Sequence, residues 1–190
     1  MSGEVRMKRM ENGSPAGKTA TIYLAGGCYW GVEKFISCLK GVLETEVGFA
    51  NGNTHAPTYQ QVRYENTGHA ETVRVVYDAD VIPLKALLRL FYKIIDPTML
   101  DQQGEDVGHQ YRTGVYFTEA EDEPVIKASL EELAAAYDRP IVVETLPLEH
   151  FYSAEEYHQK YLDKNPAGYC HVPLDMILWA KTADPAEYLK

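Results

Sequence analysis

The chain has 190 residues, a length that suits one domain with a substantial core. Hydrophobic residues make up 45% of it and charged residues 24%, which is ordinary for a globular protein. Its 28 acidic and 18 basic residues give a net charge of −10, which argues against a nucleic acid or an anionic membrane as the partner. No stretch approaches the ~20 apolar residues that a membrane-spanning helix needs.

The N-terminus and the cysteines bear on domain organisation and location. Residues 1–18 are polar and rich in small side chains, without the apolar segment of a secretory signal. We expect a disordered tail over 1–18 and a single domain over 19–190. The three cysteines are odd in number and widely spaced, so they do not indicate a secreted disulfide framework. These features predict a protein of the reducing cytoplasm.

Strands and helices are predicted from the spacing of apolar residues. The clearest helix carries Leu84, Leu88 and Phe91 in one apolar stripe. In chain order we predict a strand over 20–25, a helix over 29–40, strands over 43–49 and 71–78, a helix over 83–95, a strand over 113–117, a helix over 118–137, a strand over 141–146 and a short helix after Ser153. The opening order β-α-β-β-α-β predicts an α+β fold, a ferredoxin-like split βαβ two-layer sandwich with an extra C-terminal α-β-α portion.

Two helix starts carry a specific capping pattern. Thr118 with Glu121, and Ser153 with Glu156, have the Ser/Thr-x-x-Glu spacing of a capping box, in which each side chain bonds a backbone N–H of the other residue. We therefore expect capped helices to begin at these two places.

Cys28 lies in the run Ala25-Gly26-Gly27-Cys28-Tyr29-Trp30-Gly31, between a predicted strand and a predicted helix. At a helix N-terminus, unpaired backbone N–H groups and the helix dipole favour an anion, so we expect the thiolate to form readily. Two aromatic residues follow the sulfur directly. The pattern indicates a reactive cysteine facing an apolar ligand, although a small buried cysteine would show the same local sequence.

Several segments spread along the chain hold residues that could take part in chemistry. One surrounds Cys28, and others lie in two long predicted loops, at about 50–69 and 96–112. The segments are Gly27-Cys28-Tyr29-Trp30-Gly31, Pro57-Thr58-Tyr59 with Gly68-His69-Ala70-Glu71, Gly104-Glu105-Asp106-Val107-Gly108-His109-Gln110-Tyr111-Arg112, and Asn165-Pro166-Ala167-Gly168-Tyr169-Cys170. In this order the segments resemble the A-class peptide methionine sulfoxide reductases, and the resemblance extends from about residue 20 to about residue 175. It implies the reduction of methionine S-sulfoxide, free or in proteins, and so the repair of oxidised proteins.

The chain departs from the family pattern at three points. Tyr29 stands where the family usually has Phe, which keeps the aromatic ring and adds a hydroxyl. His109 stands where Thr is common. Some members carry a further cysteine in a Gly-rich tail, whereas residues 171–190 contain none, so a relay through a third thiol in the tail is not expected.

The resemblance assigns a chemical role to each residue of the site. Cys28 would attack the sulfur and become a sulfenic acid, and Glu71, its pKa raised in an apolar pocket, would supply the proton. Trp30 with Tyr29 would receive the substrate methyl group. Tyr59 and Tyr111 would donate hydrogen bonds to the sulfoxide oxygen, and Asp106 would orient the site.

The cysteines can be ranked as partners for Cys28. Cys38 lies ten residues further along the predicted helix, ~15 Å along its axis, and a disulfide needs Cα atoms within ~7 Å. It therefore cannot reach Cys28 while that helix holds. Cys170, in a turn-rich segment, is the better resolving thiol. The resemblance implies that a thioredoxin-like protein, or dithiothreitol in its place, reduces the Cys28–Cys170 disulfide without a bound cofactor.

Three other interpretations deserve comparison. No Cys-x-x-Cys or His-Glu-x-x-His pattern occurs, so no metal is expected, and Glu155-x-x-His158 is interpreted as a pair on a helix surface. A cysteine hydrolase would use Cys28 with His69 or His109 as base and Asp106 as orienter. A binding module would instead use Tyr29, Trp30 and neighbouring tyrosines as an aromatic cage for a methylated ligand.

Overall fold

A computed structural model describes residues 17–190. The predicted disordered tail lies outside the described residues except at Gly17 and Lys18, and the single domain over 19–190 stays a prediction. None of the helices that the structure describes is long and apolar enough to cross a membrane.

A mixed six-stranded sheet forms the centre of the fold. Its strands are β1 (Thr19–Gly26), β2 (Val42–Ala50), β3 (Ala70–Asp78), β6 (Thr113–Phe117), β7 (Glu144–Pro147) and β8 (Phe151–Ser153). They lie in the order β7-β6-β1-β3-β2-β8, and all neighbours are antiparallel except β6 and β7. The short strands β4 (Gln102–Gln103) and β5 (Asp106–Val107) form a separate ladder.

Two helices supply most of the helical part of the core. The helices are α1 (Tyr29–Ser37), α2 (Tyr59–Tyr64), α3 (Leu84–Phe91), α4 (Asp122–Ala134), α5 (Tyr161–Lys164) and α6 (Leu174–Ala180). The apolar faces of α1 and α3 are buried, with Phe35 and Leu87 fully inaccessible, and they join the sheet in one cluster. The inner order β6-β1-β3-β2 with α1 and α3 is the predicted ferredoxin-like arrangement, so the α+β fold class is confirmed.

The local predictions fail where side chains were expected to cap helices. Helix α4 begins at Asp122 without any side-chain cap, so Thr118 and Glu121 form no capping box. Ser153 belongs to the edge strand β8, where it pairs with Gly48 of β2. It therefore does not cap a helix. A genuine capping box joins Thr58 and Gln61 instead, at the start of α2, inside a segment predicted as loop.

Candidate active site

Cys28 is the N-cap residue of α1, and only Gly27 separates it from Gly26, where β1 ends. The turn depends on Gly27, whose φ of +87° lies in the region that residues with a Cβ rarely adopt. Cys28 is 6% exposed, so its sulfur lies in the wall of the fold rather than on its surface. The sheet and α1 therefore hold the cysteine in one place.

Glu71 lies beside Cys28 because β3 brings it to the start of α1. Its Oε2 accepts the backbone N–H of Tyr29 at 3.1 Å, and its side chain is buried. The pKa of Glu71 is raised to about 8, chiefly by burial and also by the charge of Asp106, against the opposing effects of the Tyr29 N–H and the Arg63 cation. The carboxyl group consequently carries a proton at neutral pH, as expected for a proton donor.

The expectation of a readily formed thiolate at Cys28 is wrong for the free protein. Burial raises the pKa of this thiol well above its ordinary value, and the negative charge of Glu71, when ionised, raises it too. The backbone N–H of Trp30 lowers the pKa but does not offset these effects. The cost of removing an anion from water exceeds the help from the helix N-terminus, so Cys28 is a thiol at neutral pH.

An aromatic wall stands next to the sulfur. The Trp30 ring stacks on Tyr161 with centroids 3.7 Å apart, and its indole N–H donates to Nδ1 of His158 at 3.1 Å. Tyr29 lies deeper, 1% exposed, with its ring against Phe49 and His158. Among the described residues, the Tyr29 hydroxyl has no hydrogen-bond partner. These contacts therefore hold both rings in place, and both rings line the cavity that contains Cys28.

Hydroxyl and charged groups surround the mouth of the pocket. Arg63 donates to the Tyr59 hydroxyl at 2.9 Å, and the Tyr169 hydroxyl donates to Oδ2 of Asp106 at 2.8 Å. The cavity measures about 280 Å³ and is lined by Cys28, Tyr29, Trp30, Tyr59, Arg63, Glu71, Asp106, Tyr111 and Tyr169. It gathers all the site residues expected from the sequence except Cys170.

Cys170 lies next to the pocket, on the side of α1. A Cβ added at Gly31 would meet its Sγ at 3.2 Å, which puts this sulfur against the first turn of the helix that Cys28 caps. Cys38 is instead the C-cap residue of α1, at the opposite end. All three cysteines are free thiols in this structure.

The histidines of the alternative interpretations lie elsewhere. His69 bonds the backbone oxygen of Thr54 at 2.9 Å, and His109 bonds Asp101 at 3.0 Å, so neither lines the Cys28 cavity. Neither of the two histidines that the hydrolase interpretation names is therefore placed to act as its base. Within residues 17–190, no group of three or more His, Cys, Asp or Glu side chains could hold a metal ion.

Sequence reasoning missed three contributors to the site. His158 was interpreted as part of a surface pair, but it is 1% exposed and holds Trp30 in place. Arg63 could have been found through its i+4 spacing from Tyr59, had α2 been predicted. Tyr169 stood in a quoted motif without a role, since only the fold shows that it reaches Asp106.

A buried cysteine, a protonated carboxyl group and an aromatic pocket define an enzyme site that depends on a thiol. Comparison with known proteins identifies the family. The family described as peptide methionine sulfoxide reductase matches residues 20–185. A curated relative from Lachnoclostridium phytofermentans, peptide methionine sulfoxide reductase MsrA, is 60% identical over 80% of this chain and 92% of its own length.

Solved structures of related proteins agree with this match. Reduced Mxr1 from Saccharomyces cerevisiae has a TM-score of 0.78 at 36% identity, over 84% of this chain and 93% of that one. Mxr1 in complex with Trx2 has a TM-score of 0.55 at 26% identity, over 77% and 86% of the two chains. The chain belongs to the peptide methionine sulfoxide reductase family, in the MsrA class. It is an oxidoreductase that reduces methionine sulfoxide.

Proposed function

We propose that Cys28 reduces the S epimer of methionine sulfoxide by direct attack on the sulfur, with Glu71 as the acid. The observation that carries this proposal is the pairing of a buried thiol with a protonated carboxyl group at one helix N-terminus. Glu71 protonates the sulfoxide oxygen, which makes the sulfur electrophilic. Oxygen passes to Cys28 as a sulfenic acid, methionine leaves, and the thiol proton of Cys28 restores Glu71.

The high pKa of Cys28 suits this order of events. A thiol that stays protonated in the free protein does not react with other electrophiles, and the proton is released only when the polarised substrate fills the pocket. The same burial keeps Glu71 protonated until it is needed. One apolar environment therefore prepares both partners of the first step.

The remaining pocket residues orient the substrate. Trp30 and Tyr29 receive the methyl group through apolar contact, while the hydroxyls of Tyr59 and Tyr111 donate hydrogen bonds to the oxygen. Asp106 positions the mouth of the pocket through its bond to the Tyr169 hydroxyl. Because the methyl group and the oxygen of the sulfoxide are each held in a set place, the two epimers would present the sulfur to Cys28 differently.

The sulfenic acid is then resolved by Cys170, and a thioredoxin reduces the resulting disulfide. Cys170 lies against Gly31 in the first turn of α1, whereas Cys38 is held at the other end of that helix. The complex of yeast Mxr1 with Trx2 supports a thioredoxin as the reductant. Electrons thus come from thiols rather than from a bound cofactor, which fits a repair enzyme for oxidised proteins in a reducing cytoplasm.

A stereochemical assay tests this function. The S and R sulfoxides of a blocked methionine are offered separately with dithiothreitol, and thioether formation is followed by chromatography. We expect turnover of the S epimer and little of the R epimer. Equal turnover of both epimers, or none of the S epimer, would contradict the proposal. A thioredoxin system in place of dithiothreitol then tests the reductant.

A further inference from the structure

His171, which follows Cys170 directly, lies against Gly27, just before Cys28, and against Gly31, in the first turn of α1. A Cβ at Gly31 would lie 3.1 Å from its Nδ1 and 3.2 Å from the Sγ of Cys170. A Cβ at Gly27 would lie 3.4 Å from its Nε2. The imidazole ring therefore lies alongside the turn that carries Cys28, and its Nδ1 is on the side of the Cys170 sulfur.

The ring nitrogens of His171 are buried, and the Gly26 carbonyl faces the ring without forming a regular hydrogen bond. Neither Nδ1 nor Nε2 has a partner among residues 17–190. Burial lowers the pKa of His171, and the nearby Asp106 and the Gly26 carbonyl offset this only in part. A neutral imidazole has one nitrogen that accepts a proton and one that donates a proton. The nitrogen that does not face the Gly26 carbonyl is therefore available to exchange a proton.

The resolving step needs such a group. Burial raises the pKa of Cys170, and its S–H donates to the Val172 carbonyl at 3.2 Å, so Cys170 is a thiol at neutral pH. A thiol is a poor nucleophile, and the hydroxide of a sulfenic acid is a poor leaving group. Resolution therefore requires one proton to leave Cys170 and one to reach the departing oxygen.

The other ionisable groups near Cys170 already have partners. Lys34 and Asp163 line a groove together with Cys170, and they form an ion pair with each other. Asp106 accepts the Tyr169 hydroxyl, and Glu71 accepts the Tyr29 N–H. His171 is the titratable side chain at this junction whose ring nitrogens are buried without a regular hydrogen bond to any group within residues 17–190.

We propose that His171 relays the proton of the resolving step, an inference that rests on the proposed function. Its unprotonated nitrogen takes the proton from the Cys170 thiol as that sulfur attacks the Cys28 sulfenic acid. The sulfur–sulfur bond forms, the Cys28 sulfur–oxygen bond breaks, and the imidazole returns one proton to the departing hydroxide as water. Cys170 is oxidised, Cys28 is reduced, and His171 ends neutral.

Single-turnover kinetics of His171→Gln test the relay. Without reductant, the enzyme is mixed with one equivalent of substrate, methionine is measured by chromatography, and sulfenic acid is trapped with dimedone and counted by mass spectrometry. We expect the burst of methionine to persist, while disulfide formation slows by on the order of 10²-fold and trapped sulfenic acid accumulates. The matched control is His55→Gln, since His55 is exposed and packs on Tyr152 away from the cavity.

The pH profile separates a proton relay from a purely structural role. The titratable groups near His171 are Cys170, which lies against the same Gly31, and Asp106, whose charge raises the pKa of His171. We expect wild-type disulfide formation to be flat near neutrality and to fall as His171 becomes protonated at acidic pH. In His171→Gln it should rise steadily with pH as the Cys170 thiol ionises by itself. His171→Asn serves as a second variant if Gln at this position prevents folding.

Each outcome bears on the inference. Disulfide formation within a factor of two of wild type in His171→Gln would overturn it. A slower rate with the wild-type pH profile would also overturn it, because His171 would then only hold the segment in place. A wild-type protein that forms no methionine at all would refute the proposed function itself, which is a distinguishable result.

Discussion

Cys28 lies where a central strand runs into a buried helix, whereas Cys170 lies on irregular backbone between α5 and α6. The first position is fixed by the β1 pairings with β3 and β6 and by the buried face of α1. The second follows Asn165, whose carbonyl accepts the Gly168 N–H in a turn at 2.8 Å. No helix or strand is formed between Lys164 and Leu174 in the described structure.

The difference shows how two steps of one cycle place different demands on the fold. The first step needs fixed geometry and a controlled proton, which burial in the sheet and α1 provides for Cys28 and Glu71. The second step needs Cys170 to move towards Cys28, and a segment with few backbone hydrogen bonds can do so at low cost. Substitutions on each side should therefore fail at different steps.

Loss of either cysteine should give the largest contrast. Cys28→Ser should form no methionine above background, because the nucleophile is gone. Cys170→Ser should still release about one methionine per enzyme and retain turnover with dithiothreitol, but lose turnover with thioredoxin. Cys38→Ser, at the far end of α1, is the matched control and should behave as wild type. Normal thioredoxin turnover in Cys170→Ser together with failure in Cys38→Ser would reverse the assignment.

Removing the acid should slow the first step by about 10²-fold or more. In the wild type, the single-turnover rate of methionine formation should fall as the pH rises through about 8, where Glu71 loses its proton. Glu71→Gln should be slow at all pH values, without that fall. Stopped-flow or quenched-flow measurements between pH 6 and pH 10 would check this. A wild-type rate that rises through pH 8 would show that Glu71 is not the acid.

The Glu71 carboxyl group should also make the free energy of unfolding depend on pH. Its pKa is about 8 in the folded protein against an ordinary value of 4.5, so the folded state binds this proton more tightly than the unfolded state. The resulting stabilisation is complete below pH 4.5 and is lost as the pH rises to about 8. Denaturant unfolding should therefore show wild type losing stability relative to Glu71→Gln across that window.

Gly31 is the point where the two regions meet. An alanine Cβ there would lie 3.1–3.2 Å from His171, Val172 and Cys170, which is tight enough to displace the segment. Gly31→Ala should slow disulfide formation several-fold and leave the methionine burst intact. It should also favour α1, since Ala is about 1 kcal/mol better than Gly within a helix. Unchanged disulfide formation would mean that Cys170 does not approach along this side of α1.

The smallest effect should come from the hydroxyl of Tyr29. It is buried without a hydrogen-bond partner among residues 17–190, so Tyr29→Phe removes a desolvated polar group and should stabilise the protein by about 1 kcal/mol. The matched control is Tyr116→Phe, because the equally buried Tyr116 donates to Glu144 at 2.7 Å and should lose stability. Thermal unfolding of both variants gives the comparison. Equal losses in the two would show that Tyr29 does have a partner.

Apolar spacing predicted the central strands and helices, but a short helix was missed and a helix start was predicted in the wrong place. The strand over 71–78 and the helix that begins near Pro83 follow from apolar spacing, and both lie within two residues of their predicted starts. Helix α2 was missed because Val62 is its one buried side chain, which leaves no apolar stripe. The capping pattern at Ser153 failed because strand pairing with Gly48 took precedence over a local side-chain bond.

Some features of the site could likewise be predicted from local sequence, whereas others depend on the whole fold. Cys28 and Glu71 lie in segments whose local pattern carries the family resemblance, and the structure brings both into one pocket. The pKa of Cys28 depends on how much of the fold covers it, which no local pattern contains. The position of His171 against Gly27 and Gly31 is set by packing between residues some 140 positions apart in sequence, so only the structure could find it.

The stacked position of Trp30 gives this protein an optical signal of its own. The chain has two tryptophans, and the other, Trp179, packs on Phe35 and Tyr188 away from the cavity. The emission of Trp30 depends on its contact with Tyr161 and on the sulfur chemistry beside it. In a Trp179→Phe background, fluorescence would therefore report each change of state at Cys28 in real time without an added label.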